Sequence, residues 1–250
     1  MPSVAENFRA WNDEWPEERG GDEWTGQADF CGQPYEEWKR SLAERFISPF
    51  AAPGRSVLEI GPGHGRWTRI LGASGAKISL VDISPRCLRT CERFLGPALG
   101  RAVLGDGSSF PGIPPGSVDF AWSFDCFVHM ELDVLSANLR EVRRVLKVGG
   151  IAVIHHPGRW PAGLALARRL AGRLPRLATL LSMGYPRIDS GWRGWVTAGS
   201  FRRAARDAGL RVVSSHRRWG PDDRFTVAKY RDWISVLERP APHGPGTRHP

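Results

Sequence analysis

Several features that narrow a protein's class at once are missing from this 250-residue chain. No apolar run approaches the roughly 20 residues that a membrane helix needs. The acidic, Trp-rich start from Met1 to Trp24 has neither the basic n-region nor the apolar stretch of a signal or transit peptide. A cytoplasmic protein with no membrane association is therefore expected. The four cysteines, Cys31, Cys87, Cys91 and Cys126, make no CxxC pair and no metal-ligand spacing. That points to reduced thiols and to no metal site. Internal repeats and low-complexity tracts are absent, which excludes solenoids and propellers. Lysine is scarce, occurring only as Lys39, Lys77, Lys147 and Lys229, so arginine supplies nearly all the positive charge.

That charge is unevenly placed. The whole chain has 35 Lys plus Arg against 26 Asp plus Glu, a net of +9. Residues 1–50 hold 5 basic and 11 acidic side chains, whereas residues 140–219 hold 17 basic and 3 acidic. A basic balance raises nucleic acid as a partner. Arg, Gly and Pro enriched together are also what a GC-rich genome imposes, so nucleic acid is not the expected partner. With 41% apolar and 24% charged residues, the chain can bury one α/β core with additional segments.

Strand and helix patterns alternate from residue 55 onward. Apolar runs at Ser56–Ile60, Lys77–Asp82, Ala102–Leu104, Val118–Ser123 and Ile151–His155 read as strands. Helices are expected over Pro34–Phe50, Gly65–Leu71, Pro85–Phe94, Leu132–Leu146 and Ser200–Ala208, with Gly149-Gly150 ending the fourth of these. Arg211–Ser215 and Phe225–Lys229 read as a closing strand pair. Apolar strands alternating with helices imply a parallel sheet covered on both faces. The expected organisation is an N-terminal helical lid (1–54), a Rossmann-like core (55–157) and a Gly/Pro/Arg/Trp-rich lid insertion (158–197). The insertion contains a basic amphipathic segment, Leu164–Leu174. The remainder of the core (198–238) and a disordered tail (239–250) follow.

The most informative stretch is Val57-Leu58-Glu59-Ile60-Gly61-Pro62-Gly63-His64-Gly65-Arg66-Trp67. A buried strand ends on an acidic residue, then G-x-G-x-G opens a helix. Glycines there let backbone approach a ligand and turn sharply. The second strand ends at Asp82, where a carboxylate can accept both hydroxyls of a ribose. The third leads into Gly105-Asp106-Gly107, whose carboxylate can accept from an adenine amino group. The fourth ends at Ser123-Phe124-Asp125. All four lie at carboxyl ends of strands, where open α/β sheets bind ligands. Asp82 and Asp106 each also suit a plain cap or turn; their joint placement favours a ligand.

This constellation resembles the class I S-adenosylmethionine-dependent methyltransferases. VLEIGPGHG is similar to their first motif, LVDIS to the second, GDG to the third and VDFAWSFDCFVHM to the fourth. The resemblance implies a seven-stranded, mostly parallel sheet with an antiparallel last hairpin. It implies S-adenosyl-L-methionine as cofactor and S-adenosyl-L-homocysteine as product. Glu59 would sit near the methionine end, with Gly61, Gly63 and Gly65 making room. Asp82 would hold the ribose and Asp106 with Gly107 the adenine, with Ile83, Ser123 and Phe124 as cofactor walls. G-P-G-H-G in place of G-x-G-x-x-G argues against a nicotinamide dehydrogenase.

The acceptor belongs after strands four and five, which selects Asp125, His129, His155 and His156 as catalytic candidates. Strand alternation points His155 and His156 opposite ways, so only one is expected to face the acceptor. Asp125 would orient an amine and a histidine would take its proton. WTGQADFCGQPYEEWK, WSFDCFVHM, AVIHHPG and YRDWISVLERP together resemble the amino-sugar N-methyltransferases of actinomycete aminoglycoside clusters, the gentamicin type. That resemblance implies a small, cationic aminoglycoside substrate. The acidic N-terminal segment and Glu131, Asp133, Asp222 and Asp223 are the candidate carboxylates for it. Trp192-Arg193-Gly194-Trp195 suits either closure over a sugar or a packed aromatic corner. A small-molecule O-methyltransferase, an RNA methyltransferase and a non-enzymatic binding protein remain as alternatives. Against the RNA enzyme, the fourth motif lacks an Asn/Asp-Pro-Pro-Tyr face.

Overall fold

The computed structural model describes residues 3–14, 28, 32–159, 163–183, 194–228 and 231–242. Trp15, Trp24, Cys31, Trp192, Arg193 and residues 243–250 lie outside them. Seven strands form one sheet in the order β3-β2-β1-β4-β5-β9-β6. They are β1 (Ser56–Ile60), β2 (Lys77–Asp82), β3 (Leu99–Leu104), β4 (Val118–Ser123), β5 (Leu146–His156), β6 (Arg211–His216) and β9 (Trp233–Glu238). The β1–β5 pairings are parallel, and β9 runs antiparallel to both β5 and β6. Beyond β1 the chain winds outward through β2 and β3, then returns to place β4 on the other side of β1. That reversal opens a crevice at the carboxyl ends of β1 and β4.

Helices cover both faces, as apolar strands require. On one side lie α2 (Tyr35–Phe46), α3 (Thr68–Ala73) and α4 (Pro85–Leu95). They bury Trp38, Leu42, Phe46, Leu71, Leu88 and Leu95 against Val57, Ile78, Phe120 and Trp122. On the other, α5 (Leu132–Val145) and α8 (Ala198–Asp207) bury Leu135, Leu139, Val142 and Phe201 against Leu58, Ala121 and Ile154. Local chemistry starts these helices where needed. Ser84 caps α4 by accepting from the Cys87 amide at 3.2 Å with Pro85 in the first turn, and Thr197 and Ser200 form a capping box on α8. Among the described residues no helix is long and apolar enough to cross a membrane.

The closing strand pair differs from the expected one. Phe225–Thr226 (β8) pairs instead with Arg218–Trp219 (β7) in a separate two-stranded ribbon. The partner of β6 is β9, a strand nearer the end of the chain that is buried from Ile234 to Leu237 with only Ser235 polar among them. The ribbon lies over α2: Trp38 Nε1 donates to the Thr226 carbonyl and Trp219 Nε1 to Ser41 Oγ, both at 3.1 Å. Gly149-Gly150 does not end α5. That helix stops at Val145, and both glycines lie within β5. Arg239 is tied to Gly149 and Gly150 through backbone hydrogen bonds of 2.8 and 3.0 Å, so its order extends past β9.

Near the N-terminus, α1 (Val4–Arg9) opens with a capping box between Ser3 and Glu6 and continues as a π-helical turn, Ala10–Glu14. This segment docks on the start of α4. Asn12 Oδ1 accepts from Ser84 Oγ at 3.0 Å, and Arg86 donates to the Asn12 carbonyl at 3.0 Å. The insertion contributes α6 (Leu164–Leu170) and α7 (Pro175–Met183), which pack on each other.

Candidate active site

The crevice is a cavity of about 420 Å³, within the range of small-molecule sites. Its floor is the glycine loop after β1. Gly61 has φ +66° and faces Cys126 so closely that any side chain there would collide with it. Gly65 has φ +96°, and a Cβ would fall 2.7 Å from the Phe94 ring, so this glycine serves helix packing and does not line the cavity. Gly61, Pro62, Gly63, Asp82, Ile83, Gly107 and Phe110 line it.

Asp82 is held by the amides of Ser84 at 2.8 Å and Gly63 at 3.3 Å. Burial nonetheless pushes its carboxyl up to about 6, those amides offsetting part of the cost. Glu59 lies behind the loop and outside the cavity lining, accepting from Thr68 Oγ1 at 2.7 Å. Burial drives its carboxyl to about 8, with Thr68 opposing and Asp82 adding to the rise. Asp106 is exposed and absent from the lining. Its Oδ1 accepts from the amides of Ser108 and Ser109, both at 2.8 Å, and from both hydroxyls at 3.0 Å. These bonds, the Ser108 amide foremost, hold it down to about 2. Ser123 donates to the Ile60 carbonyl at 2.8 Å, tying β4 to β1 outside the lining.

The lining also includes Arg66, Phe124, Asp125, Cys126, His129, Met130, Glu131, Asp133 and Val134. Asp125 has φ +59°, a region that non-glycine residues enter only when their surroundings hold them there. Arg66 NH1 lies 2.9 Å from its Oδ2, and His155 Nδ1 lies 3.1 Å from its Oδ1. The Asp125 amide also donates to His155 Nδ1 at 3.2 Å. Nε2 of His155 is 3.3 Å from Oδ2 of Asp232, and both residues are fully buried. Burial works against the charge on His155, but Asp125 and Asp232 outweigh it and the imidazole is shifted upward. Its ring stacks on Phe124 at 4.2 Å.

His156 points to the opposite face, as alternation demands. It is buried against Phe201 at 3.4 Å between ring centres, with Nδ1 2.8 Å from the Pro157 carbonyl and Nε2 2.8 Å from Ser235 Oγ. Burial lowers it to about 3, so it is a neutral packing residue. Neither His155 nor His156 lines the cavity, whereas His129 does. Asp222 and Asp223 sit in the turn between β7 and β8, away from it. Trp195 and Gly194 form a packed corner. Arg159 lies over the Trp195 ring at 4.3 Å and donates to the Gly194 carbonyl, and the Trp195 amide reaches Glu131 Oε1 at 3.4 Å.

Several lining residues carry no prior motif. Ser3, Val4, Asn7 and Trp11 come from α1 and its π turn, and His64 and Arg66 from the glycine loop. Arg66 was within reach of sequence reasoning, standing next to the last glycine. Asp232 comes near His155 only through the pairing of β9 with β5.

A family model described as a methyltransferase domain matches residues 33–215. The demethylmenaquinone methyltransferase of Tropheryma whipplei is 34% identical over 154 residues, 58% of this chain and 59% of that protein. The chain spans less than two thirds of the length of the curated relatives it matches first. Among solved structures, the geranyl diphosphate C-methyltransferase of Streptomyces coelicolor A3(2), crystallised with S-adenosyl-L-homocysteine, superposes with a TM-score of 0.62 at 14% identity, covering 96% of this chain and 98% of that one. The 1,6-didemethyltoxoflavin-N1-methyltransferase of Burkholderia thailandensis, also with S-adenosylhomocysteine, gives 0.59 at 18%, covering 95% and 87%. At such identities these two structures speak for the fold alone.

Proposed function

Since the chain belongs to the methyltransferase-domain family, we propose that it transfers the methyl group of S-adenosylmethionine to an amine of a cationic small molecule, of the amino-sugar kind found in aminoglycosides. The residues present suit the cofactor. The glycine loop turns with positive φ, Gly61 and Gly63 line the cavity together with Asp82, and Ile83, Phe110 and Phe124 give apolar walls. When bound, S-adenosylmethionine supplies an electrophilic methyl on a sulfonium. Asp82 holds the ribose hydroxyls, and Gly61 and Gly63 admit the cofactor. Glu59 acts from behind the loop, and Asp106 shapes the loop that carries Gly107. Ser3, Val4, Asn7 and Trp11 close the cavity and exclude water.

The observation that carries the amine reading is the acidic lining of the cavity. Asp125, Glu131 and Asp133 line it together, as recognition of an ammonium-bearing substrate requires. Asp125 orients the neutral amine by accepting its hydrogen bond. A second reading, methylation of a hydroquinone or other hydroxylated ring, is favoured by the Tropheryma whipplei relative's name and by Trp11, Trp67, Phe124 and Met130 in the lining.

Methyl-labelled S-adenosylmethionine offered with an aminoglycoside amino sugar, its hydroxyl analogue and a demethylated hydroquinone separates the two. Labelling of the amine alone is expected. Faster labelling of either hydroxylated probe replaces the first reading with the second.

A further inference from the structure

Two fully buried groups adjoin Asp125 without lining the cavity: His155, and beyond it Asp232 in the turn that enters β9. We propose that Asp232 is a positioning residue, which through Nε2 of His155 fixes the nitrogen that meets Asp125 and so governs the orientation and proton load of the carboxylate at the acceptor end.

The geometry leaves His155 little freedom. Phe124 fixes the plane of its ring at 4.2 Å and an interplanar angle of 16°. The Asp125 amide donates to Nδ1, so in the neutral ring the proton sits on Nε2, on the side of Asp232 Oδ2 3.3 Å away. In the neutral ring, Nδ1 is then a lone pair that accepts the Asp125 amide, 3.2 Å away, and holds that backbone in its left-handed conformation. In the charged ring, Nδ1–H turns to Asp125 Oδ1, 3.1 Å away. The ring therefore holds Asp125 by its backbone in one state and by its carboxylate in the other. A buried imidazolium is costly unless paired on both sides, and Asp232 is the second pair.

The other charged and titratable groups around this unit are Arg66 on Oδ2 of Asp125, Cys126 beside Asp125, His156 next along β5, and Arg217 and Arg231 near Asp232. In the reaction, the acceptor's lone pair forms the new bond to the methyl carbon while the carbon–sulfur pair remains on sulfur. The acceptor atom then holds one excess proton. Asp125 takes it and passes it to Nδ1 of His155, and it returns to water when product leaves. This inference rests on the cavity being the methyl-transfer site and holds for a nitrogen or an oxygen acceptor.

The test follows His155 ring nitrogens by ¹H–¹⁵N correlation across pH, in the full chain with S-adenosylhomocysteine, assigned with His155→Gln. The neutral wild-type ring is expected to carry its proton on Nε2. In Asp232→Asn the imidazolium loses a counter-charge, so the titration midpoint falls by at least one pH unit, a tenfold change in proton affinity. S-adenosylhomocysteine affinity stays within about twofold. With whichever acceptor probe is labelled above, kcat falls about tenfold at nearly constant KM, the acid limb moves down with the His155 midpoint, and Asp232→Glu restores part of the rate. On a His155→Gln background Asp232→Asn costs nothing further. An unmoved midpoint, or an equal loss on that background, overturns the proposal. If Asp232→Asn does not fold, the wild-type tautomer decides, and a neutral ring protonated on Nδ1 overturns it. The titration needs no turnover, so failure of every acceptor probe defeats the functional reading and leaves this inference to its own result.

Discussion

The two halves of the sheet hold the carboxylates beyond their strands by different means. At the β1–β3 end, Asp82 and Asp106 are held by backbone amides and serine hydroxyls within a few residues of their own turns, apart from the Gly63 amide on Asp82. At the β4–β5–β9 end, Asp125 is held by the side chains of Arg66 and His155, and His155 by Asp232. Local amide cradles give a fixed shape suited to a constant ligand. A chain of ionisable side chains gives a place whose charge changes with proton number, suited to a reacting one.

The sharpest way to break this division is Asp82→Ala. On the proposed ribose role two charge-assisted hydrogen bonds would be lost, and S-adenosylhomocysteine affinity should fall by about 2–4 kcal/mol in calorimetry. Unchanged affinity would remove Asp82 from the cofactor end. Asp125→Ala should do the converse. It should lower kcat/KM about 10²-fold with cofactor affinity altered less than about twofold; an equal loss of cofactor affinity would merge the two ends into one.

The last comparison concerns Glu59 and is read in stability. Its carboxyl is raised from 4.5 to about 8, so between those values the folded protein keeps a proton that the unfolded chain has released. Stability should therefore decline as pH rises through that window, with Asp82 adding to the decline up to about 6. Tm measured without ligand from pH 5 to 8 should slope downward, and Glu59→Gln should flatten it. An identical slope in the variant would place the titrating group elsewhere.

What was legible in the amino-acid order follows the same division. β1, β2 and β4 occupy the apolar runs residue for residue, since a strand buried on both faces shows an unbroken hydrophobic signal. The glycine loop and Asp82 are likewise local. β5 starts five residues earlier than Ile151, the apolar run's first residue, because Leu146-Lys147-Val148-Gly149-Gly150 pairs through its backbone with little apolar content. The Arg66–Asp125–His155–Asp232 chain joins residues from four separate stretches, and nothing local marks Asp232 as a partner of His155. The pairing comes into view only with β9 beside β5, where His156 faces Trp233 across the ladder. Trp38 belonged by composition to the N-terminal segment, yet α2 buries it in the core beneath the β7–β8 ribbon.

The aromatic packing behind the cavity has an optical consequence. Trp219, Trp38, Trp67 and Trp122 form a continuous cluster, with ring centres 6.1 Å apart from Trp219 to Trp38, 6.3 Å to Trp67 and 5.4 Å on to Trp122. Phe124 touches three of them and, with Trp67, lines the cavity. At such spacing, light absorbed by any one indole is shared among all. Since Trp67 and Phe124 line the cavity, a molecule seated against them should quench the emission of this cluster with no label attached.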